Sequence, residues 1–409
     1  MIKQKVLQAD VIYENKQGLL LFRLMQIFTF TTLIQTFFPF SINRVIGALI
    51  IICVIYYSFY HLNRRTIILL LLLSLFLFLN VVISFDKETA IVDTIYFSIT
   101  VLMLNLFCNA PFYNSFSSLP EKTKSTGNIL LVLCNLVLLI GIFDVNTYLS
   151  PGGGWGSGEF FRGYSEAPHT LASACCLILV FVFIRVKNSS LSFINIFYLA
   201  IPIYAIFMSG ARAFLISPLI IIWYIYRMTI TNKALKNLFI STAIFTFVFV
   251  LLGSATYIKN NYLFTIGQQS GEFLDIISNS RITLWRSSLI EFAYGNLYEI
   301  LFGRGFDYIY RFLYSVTRSA VWAHNDIINL LISTGVIGVF LYTSVLIAFI
   351  KKTVKNTEKL PKIMFIVYIL FPLMFNGFYM YQHYFFSAIL LSSVIKKDII
   401  DENTICVTK

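Results

Sequence analysis

The sequence predicts an all-α, polytopic integral membrane protein with about twelve transmembrane helices, forming a single membrane domain over residues 1–409. Three observations carry that prediction. Of 409 residues, 58% are hydrophobic and only 12% are charged, roughly half the charge of soluble domains. Apolar runs long enough to cross a bilayer recur along the whole chain. The basic residues gather on alternate connections between those runs. Together they exclude a disordered chain, a secreted disulfide scaffold and an ordinary cytosolic enzyme.

The expected spans lie near 19–38, 43–60, 66–84, 90–108, 128–144, 168–185, 192–209, 212–228, 237–257, 327–350, 361–378 and 381–395. The first is too long to be a cleaved leader, and no small-residue cleavage site follows it. With the N-terminus inside, the inside connections hold 16 Lys and 4 Arg, and the outside ones 2 Lys and 8 Arg. Both termini are therefore expected in the cytoplasm. Topology accounts for the net charge of +12, so nucleic acid is not an expected partner. Of the six cysteines, Cys406 is in the tail and the others are in spans, so no extracytoplasmic disulfide is expected. Neither CxxC nor zinc spacing occurs, and no internal repeat is visible.

Arginine outnumbers lysine outside, which the inside rule for positive charge does not require. A guanidinium fork suits phosphate or carboxylate. These arginines could also pair with Glu272, Asp275, Glu291, Glu299 and Asp307. Two outside segments are long, about 145–167 and 258–326. The second holds Trp285, Phe292, Tyr294, Phe306, Tyr308, Tyr310 and Trp322, too aromatic for disorder, and is expected to pack on the membrane face. Within it, Asn279-Ser280 followed by Arg281 to Phe292 reads as a capped amphipathic surface helix. The Pro151 to Gly158 stretch lacks the Lys-Ser/Thr of a phosphate loop. It reads as a flexible loop, the alternative being a nest of backbone N–H groups that cradles a phosphate.

Of four histidines, His169, His324 and His383 are expected outside and His61 inside. His324 has the most informative setting, at the outer start of the tenth span. A helix N-terminus disfavours imidazolium, and a neutral imidazole can act as a general base. Gly335 and Gly338 share one face of that span and would admit a close neighbour. Group transfer on this side needs a donor that arrives activated, and a lipid-linked sugar diphosphate meets that need. Arginine forks would stabilise its leaving group. No outside carboxylate cluster suggests a metal.

His324-Asn325, nine residues, Gly335, two residues and Gly338 resemble the histidine signature of the O-antigen ligase and Wzy-type O-antigen polymerase superfamily. Arg212 in Met208-Ser-Gly-Ala-Arg-Ala213, Arg281 in Asn279-Ser-Arg-Ile-Thr-Leu-Trp285 and the stretch Leu301-Phe-Gly-Arg-Gly-Phe306 resemble flanking features of that family in the same order. The resemblance covers about 160–350 and implies a GT-C-type glycosyltransferase fold. It also implies a large periplasmic loop at 258–326 and metal-independent inverting transfer from undecaprenyl diphosphate, without cofactor. His324 would be the base. Arg212 and Arg281 would hold the diphosphate, with Arg162 in Phe161-Arg-Gly-Tyr-Ser-Glu-Ala-Pro168 assisting. Arg304, Arg311, Arg318 and Asn325 could contact acceptor or glycan. Arg286, about 140° around a helix from Arg281, would face elsewhere.

What the resemblance implies is a polymerase of lipid-linked repeat units in the bacterial inner membrane, its active site periplasmic. Its partners would be the donor and acceptor oligosaccharides, membrane lipids and a chain-length regulator. The alternative is a ligase that moves the glycan to lipid A-core. A twelve-span secondary transporter is the rival from another class; it predicts embedded charge and discontinuous helices. Asp93, the acid nearest a span interior, is expected at a polar interface.

Overall fold

The computed structural model describes residues 2–38, 42–109, 112–113, 126–149, 160–189, 192–229, 281–317, 321–355 and 357–407. These are helical almost throughout. The helices are α1 (Ile2–Leu33), α2 (Ile42–Tyr60), α3 (Arg64–Ile83), α4 (Lys87–Phe107), α5 (Thr126–Phe143), α6 (Pro168–Ser189), α7 (Phe193–Met208) and α8 (Ile216–Thr229). They continue with α9 (Arg281–Ala293), α10 (Leu297–Phe302), α11 (Phe306–Thr317), α12 (Asp326–Thr353), α13 (Lys359–Phe375) and α14 (Gln382–Val407). A two-residue hairpin pairs Tyr148–Leu149 with Phe160–Phe161. Five helices, α2, α3, α4, α6 and α12, are long and apolar enough to cross a membrane, and α5, α7, α8 and α14 contain shorter apolar helices. The protein is a helical membrane protein by that measure. Each expected span is helical except 237–257, which lies outside the described residues, as do the 150–159 loop and Asn279-Ser280.

Local chemistry sets the helix boundaries. Asn63 caps α3 by accepting from Thr66 N at 2.9 Å. Asp86 caps α4 by accepting from the N–H groups of Glu88 and Thr89. Asn296 and Glu299 form a reciprocal box at α10. Helix α6 is buried on every side, with Ala174 to Val180 fully covered, as suits a central helix. Helices α7, α8 and α14 pack around it. Helices α2 and α3 instead expose apolar side chains such as Ile52, Leu71 and Phe78. In water such a surface would be a liability; facing lipid, it is the expected surface.

Several expectations are corrected. The first helix starts at Ile2 and the last runs to Val407, both beyond their spans. The span expected from 212 opens as a 3-10 turn, Arg212–Phe214, and becomes α-helical at Ile216. Asp93 is not at a wet interface: it is 4% exposed and accepts from Tyr310 Oη at 3.0 Å. The tenth span is not one continuous helix. Gly335 (φ 65°, ψ −169°) breaks α12, in a conformation that glycine adopts without a Cβ penalty.

That break docks the end of α10 and the residues after it. At Gly335 a Cβ would lie 2.4 Å from the Leu301 carbonyl, and at Gly303 one would lie 2.3 Å from that of Ser333. The two backbones therefore touch. The carbonyls of Ile332 and Ser333, freed by the break, accept from Arg304 N and Gly305 N at 3.0 Å each. The close neighbour at Gly335 is thus the end of α10, while Gly338 stands over its own helix's Thr334. Leu284, Ile309, Leu313 and Ile332 close a small second core beneath α9 and α11.

Candidate functional site

Loops and helix ends gather around His324 at one end of the bundle. Trp322-Ala323-His324 leads into α12, where Asn325 caps the helix by accepting from Ile328 N at 3.1 Å. His324 has a φ of 50°, a left-handed conformation uncommon outside glycine and seen at functional sites. Its ring centroid lies 4.9 Å from that of Trp322 and 6.4 Å from that of His169, at the start of α6. Tyr381 closes the group, 6.0 Å from His169, 5.9 Å from Trp322 and 5.3 Å from Phe214.

Helix α9 brings Arg281 to this cluster. Arg281 and Trp285 are four residues apart and share a helix face. Arg281 donates to the Phe375 carbonyl at the end of α13. Trp285 Nε1 donates to the Ala323 carbonyl at 2.7 Å, next to His324. Arg286 is exposed, as its helical offset implies. The turn between α13 and α14 is held in place by Asp326, which is fully buried. Its Oδ2 accepts from Phe378 N, Tyr379 N and Tyr342 Oη at 2.9–3.0 Å. Asn325 Nδ2 adds a bond to the Met374 carbonyl at 3.1 Å. Gly377 leaves room for the Trp322 ring, which lies 2.2 Å from where a Cβ would sit.

The electrostatics favour a neutral His324. Burial pushes its imidazole down to about 3, and the positive charge of Arg281 and the neighbouring His169 push the same way. The helix terminus invoked from the sequence is not the leading cause; desolvation is. Nδ1 of His324 is buried with no hydrogen-bond partner among the described residues. An unused ring nitrogen on a neutral imidazole can accept a proton or hold a hydroxyl, depending on the tautomer.

The other expected residues divide. The 3-10 turn that opens with Arg212 places Phe214 against Tyr381, so its backbone borders the cluster. Arg162 follows the second hairpin strand, with its N–H on the Thr147 carbonyl at 3.0 Å. Its Nε is buried without a hydrogen-bond partner among the described residues. Arg304 pairs with Glu291 and Glu299, and Arg311 with Asp307 at 2.9 Å, which is the acid-paired alternative. Arg318 lies outside the described residues. Asn325 is committed to capping. His383 is a satisfied core histidine, 2.8 Å from Thr32 Oγ1 and stacked on Phe28. Sequence reasoning does not single out Tyr381 or Asp326, names Trp322 only among the aromatic residues of its segment, and places His169 outside without giving it a role. Asp326 sat beside the motif and was the one with a readable signal. Comparison of the chain with family models, with curated proteins and with solved structures finds no match.

Proposed function

We propose that this chain is a membrane glycosyltransferase that joins oligosaccharide repeat units carried on undecaprenyl diphosphate into O-antigen or a related surface polysaccharide. In this reading it is a twelve-span, GT-C-type protein of the bacterial inner membrane, and the His324 end faces the periplasm. The observation that carries the reading is the meeting of Arg281 and His324, from separate elements, over an aromatic floor at one end of the bundle.

The chemistry follows from these groups. The donor diphosphate lies on the Arg281 guanidinium, with Arg212 as its second fork. The acceptor hydroxyl hydrogen-bonds to a ring nitrogen of His324. Its oxygen attacks the anomeric carbon, the bond from that carbon to the phosphate oxygen breaks, and the electron pair leaves on the diphosphate. The hydroxyl proton passes to His324. Burial and the charge of Arg281 hold the imidazole down to about 3. The donor's negative charge offsets that of Arg281, so base strength rises when the substrate binds.

A secondary carrier draws on two observations, the break in α12 and the buried carboxylates Asp93 and Asp326. Both already serve the chain itself. Arg304 and Gly305 occupy the freed carbonyls, and Asp326 Oδ2 takes three donors. Vesicles holding the full chain and lipid-linked repeat units, with every ion gradient collapsed, separate the two readings. Glycan elongation is expected from the wild type, none from His324→Ala, and a loss of at least about tenfold from Arg281→Lys, which keeps charge without the fork. Wild-type elongation by His324→Ala, or transport that stops with the gradient and no elongation, would overturn the reading.

A further inference from the structure

At the end of the bundle opposite His324, two hollows share one arginine. The first is a cavity of about 50 Å³ bounded by His61, Asn63, Arg65, Thr66, Asn105 and Asn109, among others. At 10–15 Å³ per water it holds about four waters, or the oxygens of one phosphate. Two of its polar atoms, His61 Nε2 and Asn109 Oδ1, are buried with no hydrogen-bond partner among the described residues. The second is an open groove of about 440 Å³ between α3 and α12. Ile68, Leu69, Leu72, Leu341 and Val345 line it, and Arg64 and Arg65 stand at its mouth. Its lining is apolar apart from the two arginines and Ser344.

The charged side chains that line the two hollows have one sign. Arg64 and Arg65 are exposed and form no ion pair among the described residues. Lys352 reaches across from α12 to the Cys108 carbonyl beside the cavity. Burial pushes His61 down, so that ring stays neutral and can donate from one nitrogen without adding charge. A free anion would find the cationic mouth and leave the groove empty. A neutral lipid would fill the groove and leave the guanidinium groups unpaired. One molecule that meets both hollows carries a phosphate on a hydrocarbon chain.

We propose that the two hollows form one site for an anionic glycerophospholipid, with its phosphodiester between Arg65, Arg64 and the polar cavity and one acyl chain in the groove between α3 and α12. Basic pockets between membrane helices on the cytoplasmic side bind lipid head groups in this way, and the sequence places this end there. Occupancy would brace α3 against α12, whose far end follows His324. The site is independent of the glycosyl-transfer reading, because none of its residues belongs to the other end.

Native mass spectrometry of the full chain, titrated in detergent with phosphatidylglycerol, phosphatidylcholine or inorganic phosphate, tests it. Wild type is expected to retain one phosphatidylglycerol at least about tenfold more tightly than phosphatidylcholine, with no competition from inorganic phosphate. The double variant R64Q/R65Q should lose that preference. Ser344→Trp, at an exposed position on the groove wall, should block retention with both arginines intact and serves where the double variant fails to fold. Equal retention of the two lipids, unchanged retention by Ser344→Trp, or displacement by inorganic phosphate alone would overturn the proposal.

Discussion

His324 combines three conditions in one residue: a left-handed backbone, a half-buried ring and a buried Nδ1 with no hydrogen-bond partner among the described residues. Its pKa is pushed down to about 3, against about 6.5 in an unfolded chain. The unfolded state therefore binds more protons between those values, and stability rises with pH across that window. The contribution is complete above about pH 6.5 and is lost as pH falls towards 3. The melting temperature in detergent should drop on acidification from pH 7 to 4.5, and the drop should be smaller in His324→Gln, which keeps a polar amide but no titration. An equal drop in the two would show that other groups set the acid sensitivity. Arg281 and His324 were legible in the sequence because each sits in a short motif. The aromatic partners were not. With 41 Phe and 24 Tyr in the chain, no single ring stands out until packing selects Trp322 and Tyr381.

At the scale of elements, two buried aspartates repeat one device. Asp307 at the start of α11 accepts from Phe85 N and Asp86 N, at 3.1 and 3.0 Å, in the turn between α3 and α4. Asp326 at the start of α12 does the same for Phe378 N and Tyr379 N, between α13 and α14. Each satisfies two successive backbone donors in a turn that joins two helices. The break at Gly335 is the matching device for carbonyls. The apolar spans were legible because a run of near 20 apolar residues has few alternatives. The break was not, because it depends on Gly303, thirty-two residues earlier in the sequence, reaching Gly335 in space. Gly335→Ala should therefore cost at least ~2 kcal/mol, since it combines a strained φ with a Cβ 2.4 Å from backbone. Gly47→Ala, whose Cβ would meet only Phe28 at 3.8 Å, should be near neutral. Melting of the two variants side by side checks the claim. Equal stability would mean that α10 does not dock into the break.

For the whole molecule, the division of charge and chemistry between the two ends decides what the protein can do. Arg64 and Arg65 open α3, Arg185 and Lys187 fall near the end of α6, Arg227 near the end of α8, and Lys351 and Lys352 near the end of α12. The opposite end of α6 carries His169, and the opposite end of α12 follows His324. One bundle thus presents a basic end and an end with arginine, histidine and aromatic rings. The proposed transfer from a lipid diphosphate needs the second end on the periplasmic side, and retention of lysine inside needs the first in the cytoplasm. Single cysteines at exposed positions test both at once. Tyr298→Cys, on α10, should react with a membrane-impermeant maleimide in intact cells. Lys351→Cys should react only after permeabilisation, with wild type as the background for the native thiols. The reverse pattern would put His324 and Arg281 in the cytoplasm. There a donor need not arrive on a lipid, and the chemistry proposed for this end would lose its reason.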